Sequence, residues 1–253
     1  MNVKQSDMMG GLAKGLRVIE AFTAETPRLS ISEAAEISGL DRATTRRCLL
    51  TLAENGYCAY DGKFFTVTPR VLRLGTGCLA SMPLPRIVQP WLDQLSEQIG
   101  QSTSVAILDG AEIVYVARAA QRKVMSIALM PGSRLPAYCT SLGRVMLAAL
   151  PETQAIELLN SHPLQARTAH TLHTIDDVLK ELALVRTHGY AAVDQEVEQG
   201  LRSVAVPVKN ARGVVVAALN TGLAVSSAPM ASVIETYLPS LQQVSRELRG
   251  VLS

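Results

Sequence analysis

Apolar residues recur with a helical period through the first third of the chain. Leu12, Leu16, Ile19 and Phe22 predict a helix over residues 12–24, behind a polar lead, residues 1–11, expected to be disordered. Ser30 and Glu33 stand at capping-box spacing, so a second helix should start there. Ile31, Ala34, Ala35 and Ile37 give it an apolar side, and Gly39 can take the left-handed backbone that ends a helix. Asp41 can cap a third helix, in which Thr45, Cys48, Leu49 and Leu52 fall at i, i+3, i+4 and i+7 and form one buried stripe. Residues 57–60 and 63–67 are rich in aromatic and β-branched side chains. Asp61-Gly62 between them is a two-residue hairpin signal. Two helices and a tight turn followed by a hairpin read as a winged helix-turn-helix over residues 12–68.

The next segment, residues 69–84, reads as a short connecting helix carried by Val71, Leu72 and Leu74. Met82-Pro83-Leu84-Pro85 breaks it and marks the start of a second domain, residues 85–253. In that domain residues 86–99 are amphipathic, with Val88, Trp91, Leu92, Leu95 and Ile99 inward. Strands are predicted at 103–108 and 113–117, joined by Asp109-Gly110, and at 124–130. A loop follows over 131–138, then helices over 140–150 and 175–188, strands at 204–208 and 214–219, and a closing helix over 233–252. Strands linked by hairpins and mixed irregularly with helices predict an α+β domain with an antiparallel sheet.

Composition changes this picture only locally. The 253 residues are 48% hydrophobic, enough for two compact domains. The net charge is +2: residues 1–81 hold ten Lys+Arg against eight Asp+Glu, and the rest holds fourteen of each. The positive excess therefore sits in the winged unit, as a local DNA-binding face would require, and not as a polybasic coat. Arg42, Ala43, Arg46 and Arg47 lie off the buried stripe near the start of the third helix. With Thr44 they form the candidate DNA-contact set, because a recognition helix presents its N-terminal residues to base edges and arginine can bond guanine or phosphate in two points. Lys63 at the hairpin tip either touches phosphate or is a solvated turn lysine.

Cys48, Cys58, Cys78 and Cys139 show no paired spacing, which suits a reduced interior. The N-terminus lacks the order of a signal peptide and no apolar run is long enough to span a bilayer, so a cytoplasmic protein is expected.

The segments GLRVIEAF, ISEAAEISGLDRATTRRCLLTL, GSRLPAYCTSLGRVMLA, HGYAAVDQEVEQGLRSVAVPV and VVAALNTG occur in an order that resembles the IclR family of bacterial transcription regulators. GSRLPAYCTSLGR is especially similar to the branch that controls aromatic-acid and β-ketoadipate catabolism. The resemblance implies a GAF-like effector domain, dimers or tetramers, and control by a small organic acid.

Several residues can be set beside that expectation. The first amides of the helix beginning near Thr140, through Leu142 and Gly143, make a natural anion site aided by the helix dipole. Thr140 and Ser141 add hydroxyls there. Arg134 could reach a carboxylate; alternatively Thr140 only caps the helix and Arg134 lies on the surface. Tyr138 stands beside this start, and Leu129, Met130, Leu135 and Val204 could wall the rest. The resemblance also places ligand contacts in residues 194–203, which makes Arg202 and Ser203 candidates with Asp194 as a polar wall, and puts Asn220 and Thr221 at the pocket border. The acids Asp194, Glu196 and Glu198 are more readily paired with Arg202 or Arg134 than gathered on a metal. His170 and His173 make a weak metal pair, and Cys139 reads as a packed thiol; no metal or cofactor is expected.

Two other classes compete with a DNA-binding regulator. An enzyme would need Ser141 or Cys139 activated by a histidine, yet neither GxSxG nor HExxH occurs. A protein-interaction adaptor would use the winged helix as a dimerisation block and would lack affinity for DNA at low salt.

Overall fold

A computed structural model of the protein describes residues 4, 7–23, 25–121 and 129–252, the side chains of residues 79 and 80 excepted. The chain divides into two compact units, residues 1–81 and 82–253.

The first unit runs α1 (Gly10–Glu20), β1 (Arg28–Leu29), α2 (Ile31–Ser38), α3 (Arg42–Glu54), β2 (Cys58–Tyr60), β3 (Phe65–Val67) and α4 (Leu72–Ser81). The capping box forms: Ser30 Oγ accepts from the Glu33 amide, and the Glu33 carboxylate accepts from the Ser30 amide at 2.7 Å. Gly39 ends α2 at φ 63°. Asp41 caps α3 by accepting from the Thr44 amide at 2.8 Å. The core joins Val18, Ala21, Leu29, Ala34, Leu49, Cys58 and Phe65, with Cys48 and Leu52 packed at its edge.

Several local expectations fail here; for the two helices the reason is that tertiary packing chose a different face. α1 includes Gly10 and Gly11, and it buries Val18, with Ala21 buried at its C-cap, while Leu12 and Leu16 stay 61% and 48% exposed. Ile37 is likewise half exposed, and Ser38 takes the inward place. The wing turn spans four residues instead of two. Tyr60 pairs with Phe65, Asp61 N–H donates to Phe64 O at 3.1 Å, and Asp61 Oδ1 accepts from the Lys63 and Phe64 amides. A third strand, β1, has no signal in the local pattern; two residues long, it pairs antiparallel with β3.

The second unit contains α5 (Pro83–Ile99), β4 (Ser102–Asp109), β5 (Glu112–Ala119), β6 (Arg134–Pro136), α6 (Ser141–Ala148), α7 (Glu152–Asn160), α8 (Ile175–His188), β7 (Ala191–Asp194), β8 (Leu201–Lys209), β9 (Val215–Ala224) and α9 (Met230–Arg249). Its strands form one antiparallel sheet in the order β6-β5-β4-β9-β8-β7, in agreement with the α+β expectation. Alternation along each strand splits the core in two. Val204, Val206 and Val208 of β8 pack with Val88, Leu92 and Leu95 of α5 and with Leu241, Val244 and Leu248 of α9. Ala205 of β8 and Ala218 of β9 face the other way, with Leu142, Val145 and Leu147 of α6 and Val178 and Leu182 of α8.

β6 is a strand where the prolines and glycine of 131–138 predict a loop, because Glu112, Ile113 and Val114 of β5 pair with Pro136, Leu135 and Arg134. The strand expected over 124–130 falls mostly on residues 122–128, which lie outside the described residues. α7 is a further helix that the apolar pattern does not predict.

Candidate functional site

In the first unit, Arg42, Ala43, Arg46 and Arg47 are exposed at the N-terminal end of α3. Thr44 departs from the expected contact set. It is 7% exposed, its amide is held by Asp41, and its hydroxyl accepts from Arg47 Nη2 at 3.5 Å. Thr45 is fully buried and donates to Asp41 O, so both threonines seat the helix start while the arginines project from it. In the wing, the ring of Phe64 lies under Arg28 at 4.2 Å and under the Lys63 ammonium at 5.0 Å. Arg28 also pairs with Asp61. The Phe64 and Lys63 amides, with Arg28, hold the Asp61 carboxyl down at about 2. Lys63 itself is exposed at the turn.

An open groove on this unit, between residues 25–29 and α2, carries Glu25, Glu33 and Glu36 beside Ile37. Those carboxylates suit neither phosphate nor an acidic ligand.

The second unit holds a narrow cavity of about 30 Å³ between the sheet and the start of α6. Sheet register decides what it sees. Arg118 of β5 stands opposite Ser104 of β4, Ser104 opposite Asn220 of β9, and Gly222 of β9 opposite both Ser102 and Ser203. Arg118, Ser203, Asn220 and Gly222 line the cavity from the sheet, and Thr140 and Ser141 line it from α6. Tyr115, Leu129, Leu135, Val197 and Leu201 supply its apolar wall. Among the described lining residues Arg118 is the one cation, and no carboxylate is present. Arg118 Nη1 donates to Ser104 Oγ at 2.9 Å, and burial works against its charge. Burial likewise pushes the Tyr115 hydroxyl up to about 12, so it is a neutral donor at ordinary pH.

At the start of α6 the two hydroxyls differ. Thr140 Oγ1 is occupied: it accepts from the Gly143 amide at 3.0 Å and lies 3.2 Å from Pro136 O. Ser141 Oγ, in a residue 1% exposed, has no hydrogen-bond partner among the described residues.

Thr140, Ser141, Ser203 and Asn220 are thus brought together, but the remaining effector candidates are not. Arg134 lies on the outside of β6, bound to Glu112 at 2.7 Å and Asp109 at 2.8 Å. Tyr138 turns its hydroxyl away to Gln165 O at 2.6 Å. Leu142 is fully buried in the core behind α6. Gly143 is needed for close packing, since a Cβ there would lie 2.2 Å from Ala137 O. Arg202 and Thr221 sit on the opposite face of the sheet by strand alternation. Arg202 binds Asp194 at 2.8 Å and Ala228 O at 2.6 Å, and Thr221 Oγ1 donates to Ser102 O at 3.1 Å. The Arg202 guanidinium holds the Asp194 carboxyl below its ordinary range, so Asp194 is a structural partner. Of the expected apolar walls, Leu129 and Leu135 line the cavity, Met130 is 60% exposed and Val204 faces α5 and α9.

Glu196 departs from Asp194 because Gln195 adopts φ 60° and ends the alternation of β7. Its carboxylate accepts from Arg144 at 2.6 Å and from the Leu172 amide at 3.0 Å; it pairs with neither Arg202 nor Arg134. Burial raises the Cys139 thiol to about 11, which suits a packed thiol.

Arg118 escapes the sequence pattern because the apolar run of its strand stops at Ala117. A signal exists all the same: a lone arginine closing an apolar strand has to find a polar neighbour across the sheet. No group of three or more metal-ligating side chains occurs among the described residues.

Comparison with known proteins bears on both units. Residues 11–62 match the description "IclR helix-turn-helix domain", and residues 76–249 match "Bacterial transcriptional regulator IclR C-terminal". The chain is 42% identical to the Pca regulon regulatory protein of Pseudomonas putida, over 96% of this chain and 84% of that one. It is 35% identical to the p-hydroxybenzoate hydroxylase transcriptional activator of Acinetobacter baylyi, over 99% of this chain and 94% of that one. Among solved structures, the inducer-binding domain of the PobR transcription factor from Acinetobacter, a double mutant in complex with 3-hydroxybenzoic acid, superposes with TM-score 0.64. It has 32% sequence identity and covers 68% of this chain and 100% of that one.

Proposed function

The chain belongs to the IclR family of bacterial transcriptional regulators, and from that premise we propose that a small carboxylic acid in the cavity beside α6 controls its grip on operator DNA. One observation carries the proposal. The cavity combines a single described cation, Arg118, the start of a helix and an apolar wall, with no lining carboxylate to repel an acid. A helix N-terminus and a guanidinium both favour negative charge. Relatives named for the Pca regulon and for p-hydroxybenzoate hydroxylase, and the related domain holding 3-hydroxybenzoic acid, support an acid from aromatic-compound breakdown.

In this reading Arg42, Arg46 and Arg47 contact the major groove and backbone, with Ala43 against the bases and Lys63 near phosphate. The acid acts only as far as it binds one arrangement of the protein better than another. Regulators with a recognition helix read paired half-sites, so the protein is a homo-oligomer, at least a dimer. Leu12 and Leu16, exposed on α1, together with the exposed Met9 that caps its N-terminus, supply an apolar surface for that association. A protein whose partner is the chromosome works in the cytoplasm; among the described residues no helix is long and apolar enough to cross a membrane.

The test is selection of binding sites from a random DNA pool, followed by titration of the recovered duplex with and without 4-hydroxybenzoate, 3,4-dihydroxybenzoate or 3-oxohexanedioate. At least one acid should shift DNA affinity severalfold. Recovery of no enriched site at low salt would favour the adaptor class instead.

A further inference from the structure

The cations of the first unit fall into two kinds. Arg42 and Arg46, exposed at the start of α3, form no ion pair among the described residues. Arg28 is held on three sides. Its backbone lies in β1, opposite Thr66 of β3, and its guanidinium stacks on the Phe64 ring at 4.2 Å and bonds Asp61 Oδ2 at 2.5 Å. The two side chains of that pair are 54% and 47% exposed, so the guanidinium still meets solvent. Lys63 shares the same ring from 5.0 Å. The wing thus gathers two cations on one aromatic ring and sets a carboxylate against them. The two oxygens of that carboxylate have separate tasks. Oδ1 accepts from the Lys63 and Phe64 amides at 2.9 and 2.8 Å and folds the turn, while Oδ2 neutralises Arg28.

We propose that Arg28 is a further DNA-contact residue of the wing, and that Asp61 competes with phosphate for it and so tempers the grip of the wing on DNA. This rests on the reading that sets Lys63 near phosphate, and it adds a second cation and the charge that opposes it. A guanidinium bonds phosphate in two points, more strongly than a neutral donor does. An exposed ion pair holds its members weakly, so a phosphate can take Arg28 from Asp61. The Phe64 ring restrains the guanidinium beside the turn, which leaves less freedom to lose on binding. The exchange leaves the Asp61 carboxylate facing a backbone it repels, and the two turn amides keep it ionised. A phosphate contact carries affinity but no sequence information, so the opposing charge lowers affinity for operator and bulk DNA alike.

The test is titration of the full-length protein against the selected operator duplex and an unrelated duplex of the same length, at several salt concentrations. Asp61→Asn keeps an oxygen for the two amides and removes the charge. It should tighten both duplexes by a common factor of about threefold or more at about 0.1 M salt, and steepen the slope of log affinity on log salt by about one unit. Arg28→Gln should weaken both duplexes equally and make the slope shallower by about one unit. With Arg28→Gln already present, Asp61→Asn should gain less than about half as much on a logarithmic scale, because the cation it would release is gone. A pair that only staples β1 to the wing predicts otherwise: Arg28→Gln would leave the slope unmoved, and either that result or an undiminished Asp61→Asn gain in the double variant overturns the inference. Hydrogen exchange at the Lys63 and Phe64 amides shows whether the turn survives Asp61→Asn. Where it does not, Arg28→Gln, which leaves Asp61 Oδ1 on the turn, decides alone by its slope. Lys63→Gln separates the inference from the reading beneath it. A slope lowered by Lys63→Gln but not by Arg28→Gln overturns the inference and leaves Lys63 near phosphate; slopes unmoved by both overturn the two together.

Discussion

Arg144 of α6 and Glu196, just beyond β7, meet at 2.6 Å with side chains 2% and 8% exposed. The pair is completed on both sides. Arg144 Nε donates to Tyr138 O at 2.9 Å, Glu196 Oε2 accepts from the Leu172 amide at 3.0 Å, and Glu196 O accepts from Thr171 Oγ1 at 2.6 Å. It therefore ties the helix whose start lines the cavity to the segment that carries Val197 and Leu201. Breaking a buried ion pair from one side leaves an uncompensated charge. Arg144→Ala should destabilise the second unit by about 3–5 kcal/mol. Urea unfolding followed through Trp91, the single tryptophan and part of the α5 packing, reads that unit selectively.

Arg134 provides the contrast. Its pairs with Asp109 and Glu112 are exposed, so Arg134→Ala should change stability by less than about 1 kcal/mol. Its position outside the cavity lining predicts unchanged acid affinity by calorimetry. A marked loss of affinity would restore Arg134 to the site.

Gly143→Ala tests the fit of α6 against the 137–140 turn. The new Cβ would meet Ala137 O at 2.2 Å, and backbone on both sides leaves little room to yield. A loss of about 1–3 kcal/mol is expected, together with weakened acid binding, because the start of α6 must shift.

At the DNA face, Arg46→Ala should cost about 1–3 kcal/mol in operator affinity if Arg46 reads a base. An arginine that only neutralises phosphate would instead lower the salt slope by about one unit. Gel-shift titrations of the Arg42, Arg46 and Arg47 variants at several salt concentrations separate the two roles.

The wing carries a pH signature. Two backbone amides and Arg28 depress the Asp61 pKa from 3.8 to about 2. A depressed carboxylate contributes stability that is fully present above 3.8 and is lost as pH falls toward 2. The amide protection of Lys63 and Phe64 should thus hold from neutral pH to about 4 and fade below it. Asp61→Asn should weaken the turn at neutral pH. Hydrogen exchange at those two amides measures both effects.

How much of the fold and site is legible in the chain depends on the range of the interaction. Ser30, Glu33, Gly39 and Asp41 act within a few residues, and the elements they announce form where the spacing puts them. Which face an element buries is settled by distant partners. Leu12 and Leu16 have the spacing of core residues yet stay exposed, and Val204, Arg202 and Thr221 fall on the far side of the sheet because strand register, set across four strands, assigns each side chain its face. The cavity is the least legible part. Thr140, Ser141, Ser203 and Asn220 are visible beside the helix start and strand ends, whereas Arg118 enters only through its pairing opposite Ser104. Asp194 and Glu196 part because Gln195 takes a left-handed backbone that no local pattern announces.

The most direct test of the central claim, that an acid in the second unit governs DNA binding by the first, is reciprocal titration. The dissociation constant of the selected operator duplex is measured with and without saturating acid, and that of the acid with and without saturating duplex. Linked sites must change each other's affinity by the same factor. The predicted result is an equal shift of about fivefold or more in both directions, abolished by Arg118→Gln while acid-free DNA binding persists. An operator affinity unmoved by an acid shown to occupy the cavity would contradict the account.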